Sequence, residues 1–156
     1  MARRENTFWN RNKFKLNGLL LILPFYFLYQ ALQPSPSPDV WDDRQVGPFK
    51  VALQPLNHDV PYSHHDDWVK DFSVHLREGE VADIRQGYVN IGETAMPLHE
   101  LEQDDEGILH GTDVLQHVHA IAPQFFEVQH QVWLTIQTWD GDIHQAYWSL
   151  PDEWLE

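Results

Sequence analysis

The stretch FEVQHQVWLTIQTWDGDIHQAYWSL, residues 126–150, places Phe126, Val128, His130, Val132, Leu134 and Ile136 at every second position. A period of two is the repeat of a strand, because successive side chains point to opposite faces of a pleated chain. The Asp140-Gly141-Asp142 step after it is a short-range hairpin signal, and IHQAYWSL returns antiparallel from Ile143 to Leu150. Trp133, Trp139, Trp148 and Trp154 gather around this hairpin and read as packing residues with large buried area.

The same alternation recurs upstream. FKVALQPL sets Phe49, Val51 and Leu53 on one face. DFSVHLRE sets Phe72, Val74 and Leu76 against Ser73, His75 and Arg77. IRQGYVNIG, residues 84–92, is rich in strand formers, and VLQHVHAIA sets Val114, Val118 and Ala120 against Leu115, His117, His119 and Ile121. The acidic LHELEQDDEG, residues 98–107, reads as a loop with room for one helical turn. About seven short strands divided by Gly, Pro and Asp, without a convincing amphipathic helix, predict an all-β, immunoglobulin-like antiparallel β-sandwich.

The N-terminus has a different grammar. Arg3, Arg4, Arg11, Lys13 and Lys15 are five of the ten Lys and Arg residues, and GLLLILPFYFLYQAL, residues 18–32, carries no charge. Cationic flanks stay on the cytoplasmic side of a membrane while the downstream chain is translocated. We therefore read a basic cytoplasmic segment at 1–17, a transmembrane anchor at 18–33, a Pro/Ser linker at 34–40 and a β-domain at 41–156 outside the membrane. The apolar run is short for a hydrocarbon core about 30 Å thick, and Phe14, Asn17, Gln33 and a snorkelling Lys15 extend it. A cleaved signal peptide is the competing reading, but bulky Tyr29 stands where a small residue is wanted, which favours an uncleaved anchor.

The chain has a net charge of −14, and every acid except Glu5 comes after Gln33. Such a field disfavours nucleic acid and anionic lipid as partners and favours cations and basic protein patches. With no cysteine, disulfides, thiolate metal sites and a cysteine nucleophile are excluded. There is no nucleophile elbow, HExxH or Gly-rich phosphate loop, so a non-enzymatic role is expected.

All ten histidines lie in the β-domain, and imidazole is its main resource for a transition metal. His117 and His119, two apart on one strand, project from one face and form either a metal-binding pair or two polar residues on the wet face of a sheet. His64 and His65, flanked by His58, Asp59, Asp66 and Asp67, suit a cation only if their loop folds around it; otherwise they belong to a solvated acidic loop. In ETAMPLHE, Met96 and His99 flank Pro97, and a thioether beside an imidazole suits Cu(I), unless Met96 only plugs the core.

The order of these features resembles YtkA-like and FixH-like domains, membrane-anchored immunoglobulin-like modules of the bacterial envelope that recur near copper handling and cytochrome oxidase assembly. Met96, Pro97 and His99 match that family's M-P-x-H loop, and Trp133, Asp140 and Gly141 match its closing strand and turn. The glycine that usually starts the penultimate strand is absent, and SHHDDW has no counterpart. The resemblance implies a single-pass protein of the bacterial inner membrane with its C-terminal domain in the periplasm. It also implies that His117, His119 and His99 converge, with Met96 as a soft fourth ligand, on a copper or zinc ion. Two other roles stay open: an accessory or assembly subunit of a larger membrane complex such as a respiratory oxidase, and a pH-responsive acidic module.

Overall fold

The structure is a computed structural model and describes residues 7–33, 38–113 and 115–155. Arg3, Arg4 and Glu5 of the basic segment, Pro34 to Ser37 of the linker and Val114 lie outside the described residues. The chain divides into two units, an N-terminal helix and a β-domain.

The helix, α1 (Phe8–Ala31), has 24 residues and contains Pro24. It starts ten residues before the expected anchor at Gly18, because nothing between Phe8 and Asn17 breaks a helix, and the Thr7 hydroxyl caps it by accepting from the Asn10 amide at 3.3 Å. At about 1.5 Å per residue its length is roughly 36 Å, and it is long and apolar enough to cross a membrane. Consecutive exposed residues Leu20, Leu21, Ile22 and Leu23 leave it no polar side for water.

The second unit is mostly β-sheet. Its strands are β1 (Arg44–Val46), β2 (Phe49–Pro55), β3 (Tyr62–His64), β4 (Asp67–Glu78), β5 (Ile84–Gly92), β6 (His110–Gly111), β7 (Gln116–Ile121), β8 (Gln131–Thr138) and β9 (Ile143–Ser149). They form one sheet in the order β1-β2-β4-β7-β5-β8-β9, with β3 added to β4 and β6 to β7. β1 lies against β9, so the sheet is nearly closed. It is mixed, because β5 and β7 pair in parallel at Asn90 and Ile121.

The expected hairpin is present, with Val132 opposite Trp148 and Leu134 opposite Ala146 in β8 and β9. Its first strand is shorter than the period suggested. Val128 is exposed, and residues 127–130 form a turn in which the Glu127 amide donates to His130 Nδ1 at 3.0 Å and the His130 amide donates to the Glu127 carbonyl at 2.9 Å. A local side-chain bond has displaced ladder bonds there. In LHELEQDDEG, Leu98–Leu101 does form one helical turn, α2, with Leu101 buried.

Phe49, Val51, Leu53, Phe72, Val74, Val132, Leu134 and Ile136 meet in one buried core with Val89, Val118, Ala120 and Trp148. Two features of this frame position the functional face. Lys70 is buried and donates to the Asn57 carbonyl at 3.0 Å, to Asn57 Oδ1 at 2.6 Å and to the Asp59 carbonyl, which ties down the loop leading into β3. Burial lowers the Lys70 pKa to about 8, against the pull of Asp59 and Asp71.

The second is the seam between β5 and β7. The Gly107 amide donates to the His119 carbonyl at 2.9 Å, and the Gly107 carbonyl accepts from the Val89 amide at 2.8 Å. Gly107 has φ +81, and a Cβ there would meet Ile121 Cδ1 at 3.0 Å, so a larger residue would be strained and crowded where the chain threads the gap with Glu106 buried at its mouth.

Among the described residues the core contains no histidine, so metal removal should leave it intact. Calorimetric unfolding of the protein with and without chelator is expected to show the same cooperative transition in both; its loss on chelation would make an ion structural.

Candidate metal centre on the outer face of the sheet

The candidate site is set by the register of β7. Val118 and Ala120 are fully buried, so His117 and His119 stand on the outer face, half-buried. Each edge of β7 then supplies a neighbour. In the β6 ladder His110 lies directly opposite His117, and in the β4 ladder Asp71 lies directly opposite His119. Directly opposed side chains of an antiparallel pair have Cβ atoms about 5 Å apart, so contact is built in. The rings of His110 and His117 are 3.7 Å apart between centroids, those of His110 and His119 5.6 Å, and those of His117 and His119 5.9 Å. One ring nitrogen from each of the three lies within 4.8 Å of the others.

Two of these rings are held in one tautomer. His119 Nδ1 is 2.6 Å from Asp71 Oδ1, and His110 Nδ1 is 3.1 Å from the Ile108 carbonyl oxygen. A carbonyl or ionised carboxylate can only accept, so each Nδ1 carries a proton, and a neutral ring in this tautomer has its lone pair at Nε2. This is the arrangement in which metal-binding imidazoles are oriented by a second hydrogen bond. Tyr62 braces it, its hydroxyl donating to Asp71 Oδ1 at 3.1 Å. Burial first, then the charge and hydrogen bond of Asp71 and the charge of Glu106, raise the Tyr62 pKa, so the phenol stays protonated.

His64 and His65 belong to the same face. The β3–β4 hairpin pairs His64 with Asp67 and leaves His65 and Asp66 as its turn. His64 Nδ1 is 2.6 Å from Glu106 Oε1 and His65 Nδ1 is 3.4 Å from the same oxygen. The three residues form a second group with ligand atoms within 4.8 Å of one another. The His64 ring stacks on His119 with centroids 5.4 Å apart and planes 22° from parallel. Five of the ten histidines are therefore contiguous, in the order His65, His64, His119, His110, His117.

The expected convergence of His99 and Met96 with the strand pair is corrected by the structure. The backbone before α2 is held by Asn90, whose Oδ1 accepts from the Met96 amide at 3.1 Å, and α2 then presents His99 to solvent with its side chain 73% exposed beside Glu100. His99 joins neither group. Met96 lines an open acidic pocket with His65, Asp66, Asp67, Asp104, Asp105 and Glu106, on the loop side of the cluster. Asp71, Tyr62 and Glu106 complete the site without having been singled out, and His110, which the sequence places in one histidine cluster with His117 and His119, takes the position expected of His99.

Local electrostatics favour the neutral form of His117. Burial, then the neighbouring His110 and His119, lower the His117 pKa against the opposing pull of Asp71. For Glu106 burial acts upward, but hydrogen bonds from His64 and His65 and the charges of His64 and His119 outweigh it and lower the pKa.

The remaining histidines have local roles. His58 faces Glu153 at 3.3 Å, and His75 bonds Gln54 Oε1 at 3.0 Å. His144 packs on Gly47.

The molecule thus combines an apolar N-terminal helix with a β-domain whose sheet carries a polyhistidine face. It belongs to the family described as Uncharacterised conserved protein UCP029505, whose profile matches residues 8–151 and so covers both units. No curated protein and no solved structure matches the chain.

A histidine whose folded pKa is lowered adds stability that is complete above its unfolded value, about 6.5, and is lost as pH falls through the lowered folded value. Urea midpoints measured from about pH 8 to about pH 5 should therefore fall less in His117→Asn than in the wild type. His65 has φ 50, the one positive value at a described residue other than glycine. His65→Gly should accordingly leave unfolding stability unchanged or raise it by up to about 1 kcal/mol; a clear loss would show that the ring's contacts outweigh the backbone strain.

Proposed function

We propose that this protein is a membrane-anchored envelope protein that binds a transition-metal ion, copper or zinc, on the outer face of its β-domain. The ligands are His110, His117 and His119. The observation that carries the reading is the gathering of three imidazoles with one ring nitrogen of each within 4.8 Å of the others, two of the rings being oriented through Nδ1 by Asp71 and by the Ile108 carbonyl. Three imidazoles without thiolate form a donor set suited to Zn(II) or Cu(II).

The acidic charge of the domain supports this role, since a negative field raises the local concentration of cations. In this reading α1 anchors the chain in a bacterial inner membrane with the β-domain on the periplasmic side, consistent with Arg11, Lys13 and Lys15 near the start of the helix. The domain is read as an immunoglobulin-like sandwich whose two layers meet at the β5–β7 seam, similar to the YtkA-like and FixH-like modules. The departure from that resemblance lies in the third ligand, which is His110 of β6 and not a residue of the Met96 to His99 loop.

Isothermal titration of the full chain in detergent with Zn(II) and Cu(II) tests the assignment. Replacing both His117 and His119 by alanine should abolish the tighter binding step and leave a cooperatively folded domain, because neither ring belongs to the buried core. His99→Ala should bind as the wild type does. Unchanged binding in the His117/His119 double variant would return the pair to two polar residues on a wet face.

A further inference from the structure

We propose that His64, His65 and Glu106 hold a second divalent transition-metal ion immediately beside the first, so that the outer face carries a binuclear centre. The inference rests on the strand-borne site being a metal site.

Three observations support it. Glu106 is 7% exposed, and its ion-pair partners among the described residues are His64 and His65 alone. Both imidazoles turn Nδ1 to the same carboxylate oxygen, at 2.6 and 3.4 Å. Buried charges are paired or coordinate metals, and a divalent cation bound between Glu106 and the two rings supplies a full counter-charge at that point.

Next, His65 sits in the left-handed region with φ 50, in the turn that brings it beside His64 with ring centroids 4.2 Å apart. Neighbouring residues of an extended strand would point apart. The bent backbone is what lets two adjacent histidines address one point, and backbone strain of this kind is characteristic of ligand clamps. The His65 ring is also 77% exposed, so solvation or core packing does not require that conformation.

Finally, the two groups share a wall. His64 stacks on His119 at 5.4 Å, and Tyr62 contacts Asp71 and, at 3.4 Å, His119 Nδ1. A site on each side of that stack puts the two ions at neighbouring positions on one face. Two imidazoles with one carboxylate match a borderline ion such as Cu(II) or Zn(II) and are a poor set for Mg(II) or Ca(II), which prefer oxygen. The open acidic pocket lined by Asp66, Asp67, Asp104 and Asp105 reaches solvent next to His65 and Glu106, giving the second ion an electrostatically favoured way in.

Electron paramagnetic resonance during Cu(II) titration of the full chain in detergent, near pH 7.5 and so about a unit above the ordinary imidazole value, tests the proposal. The wild type should take up two equivalents. The first should give a mononuclear signal, and the second should broaden it through dipolar coupling between neighbouring ions. His64→Ala with His65→Ala should bind one equivalent with full mononuclear intensity. Glu106→Gln, which keeps the shape and hydrogen-bonding reach of the side chain, should weaken the second step by more than about tenfold. Thermal unfolding should show both variants folded.

A second equivalent that doubles an uncoupled signal would overturn the proposal, as would a single equivalent indifferent to both variants. A single equivalent lost in the His117/His119 double variant would overturn the second position while leaving the strand site standing. Binding that depends on His64 and His65 but not on His117 and His119 would overturn the strand site and the binuclear centre together.

Discussion

β7 is held on both edges, and that constraint organises the functional face. Its inner residues Val118 and Ala120 are fully buried, which leaves no freedom in which way His117 and His119 point, since a shift of one residue would exchange every side chain between core and surface. Its ladder with β4 places Asp71 opposite His119, and its ladder with β6 places His110 opposite His117. The third histidine and the carboxylate that orients the second thus arise from the same hydrogen bonds that hold the sheet together. A cluster built this way is rigid because its supports are backbone ladders.

Only part of this could be read from residue order. The alternation of β2, β4, β7 and β8 identified the buried face of each strand, and the Asp140-Gly141 turn identified the hairpin, because both signals are local. Which strands pair, and in what register, is not local. His110 opposite His117 depends on the chain between them closing back on itself beside a two-residue strand, and nothing in GTDVLQ announces that. Glu106 looked like one acid of a solvated run, LEQDDEG. It is buried because Gly107, with its positive φ, threads between Val89 and His119. The assembly of His99 and Met96 with the strand pair failed for the converse reason: a short connection keeps segments close without fixing which face they share. Asn90 holds the loop, and α2 turns His99 to solvent.

The two histidine groups also differ in how they are held. The strand group is positioned by ladders on a sheet whose core is independent of it. The loop group depends on longer-range ties. Lys70, buried under Trp154 with its ammonium 4.8 Å from the ring, holds Asn57 and Asp59 ahead of β3, and Glu106 holds the rings of His64 and His65 from the far side of β7. Local opening of a protein starts where few buried apolar contacts support the backbone, and the β3–β4 turn, with His65 and Asp66 exposed, is such a place. The strand group is therefore the more preorganised of the two.

Packing five imidazoles together creates a conflict that charge resolves in one direction. Protonated rings a few ångströms apart repel, and Asp71 and Glu106 can offset only part of that repulsion because each contacts one side of the cluster. The lowered pKa of His117 is the local expression of this conflict, with burial as its largest cause and His110 and His119 adding to it. A neutral ring keeps a nitrogen lone pair available, and on the proposed reading a proton and a metal ion compete for it at each coordinating ring. An ion shared by three rings would then leave with uptake of more than one proton, so its release on acidification should be steeper than the titration of a single histidine.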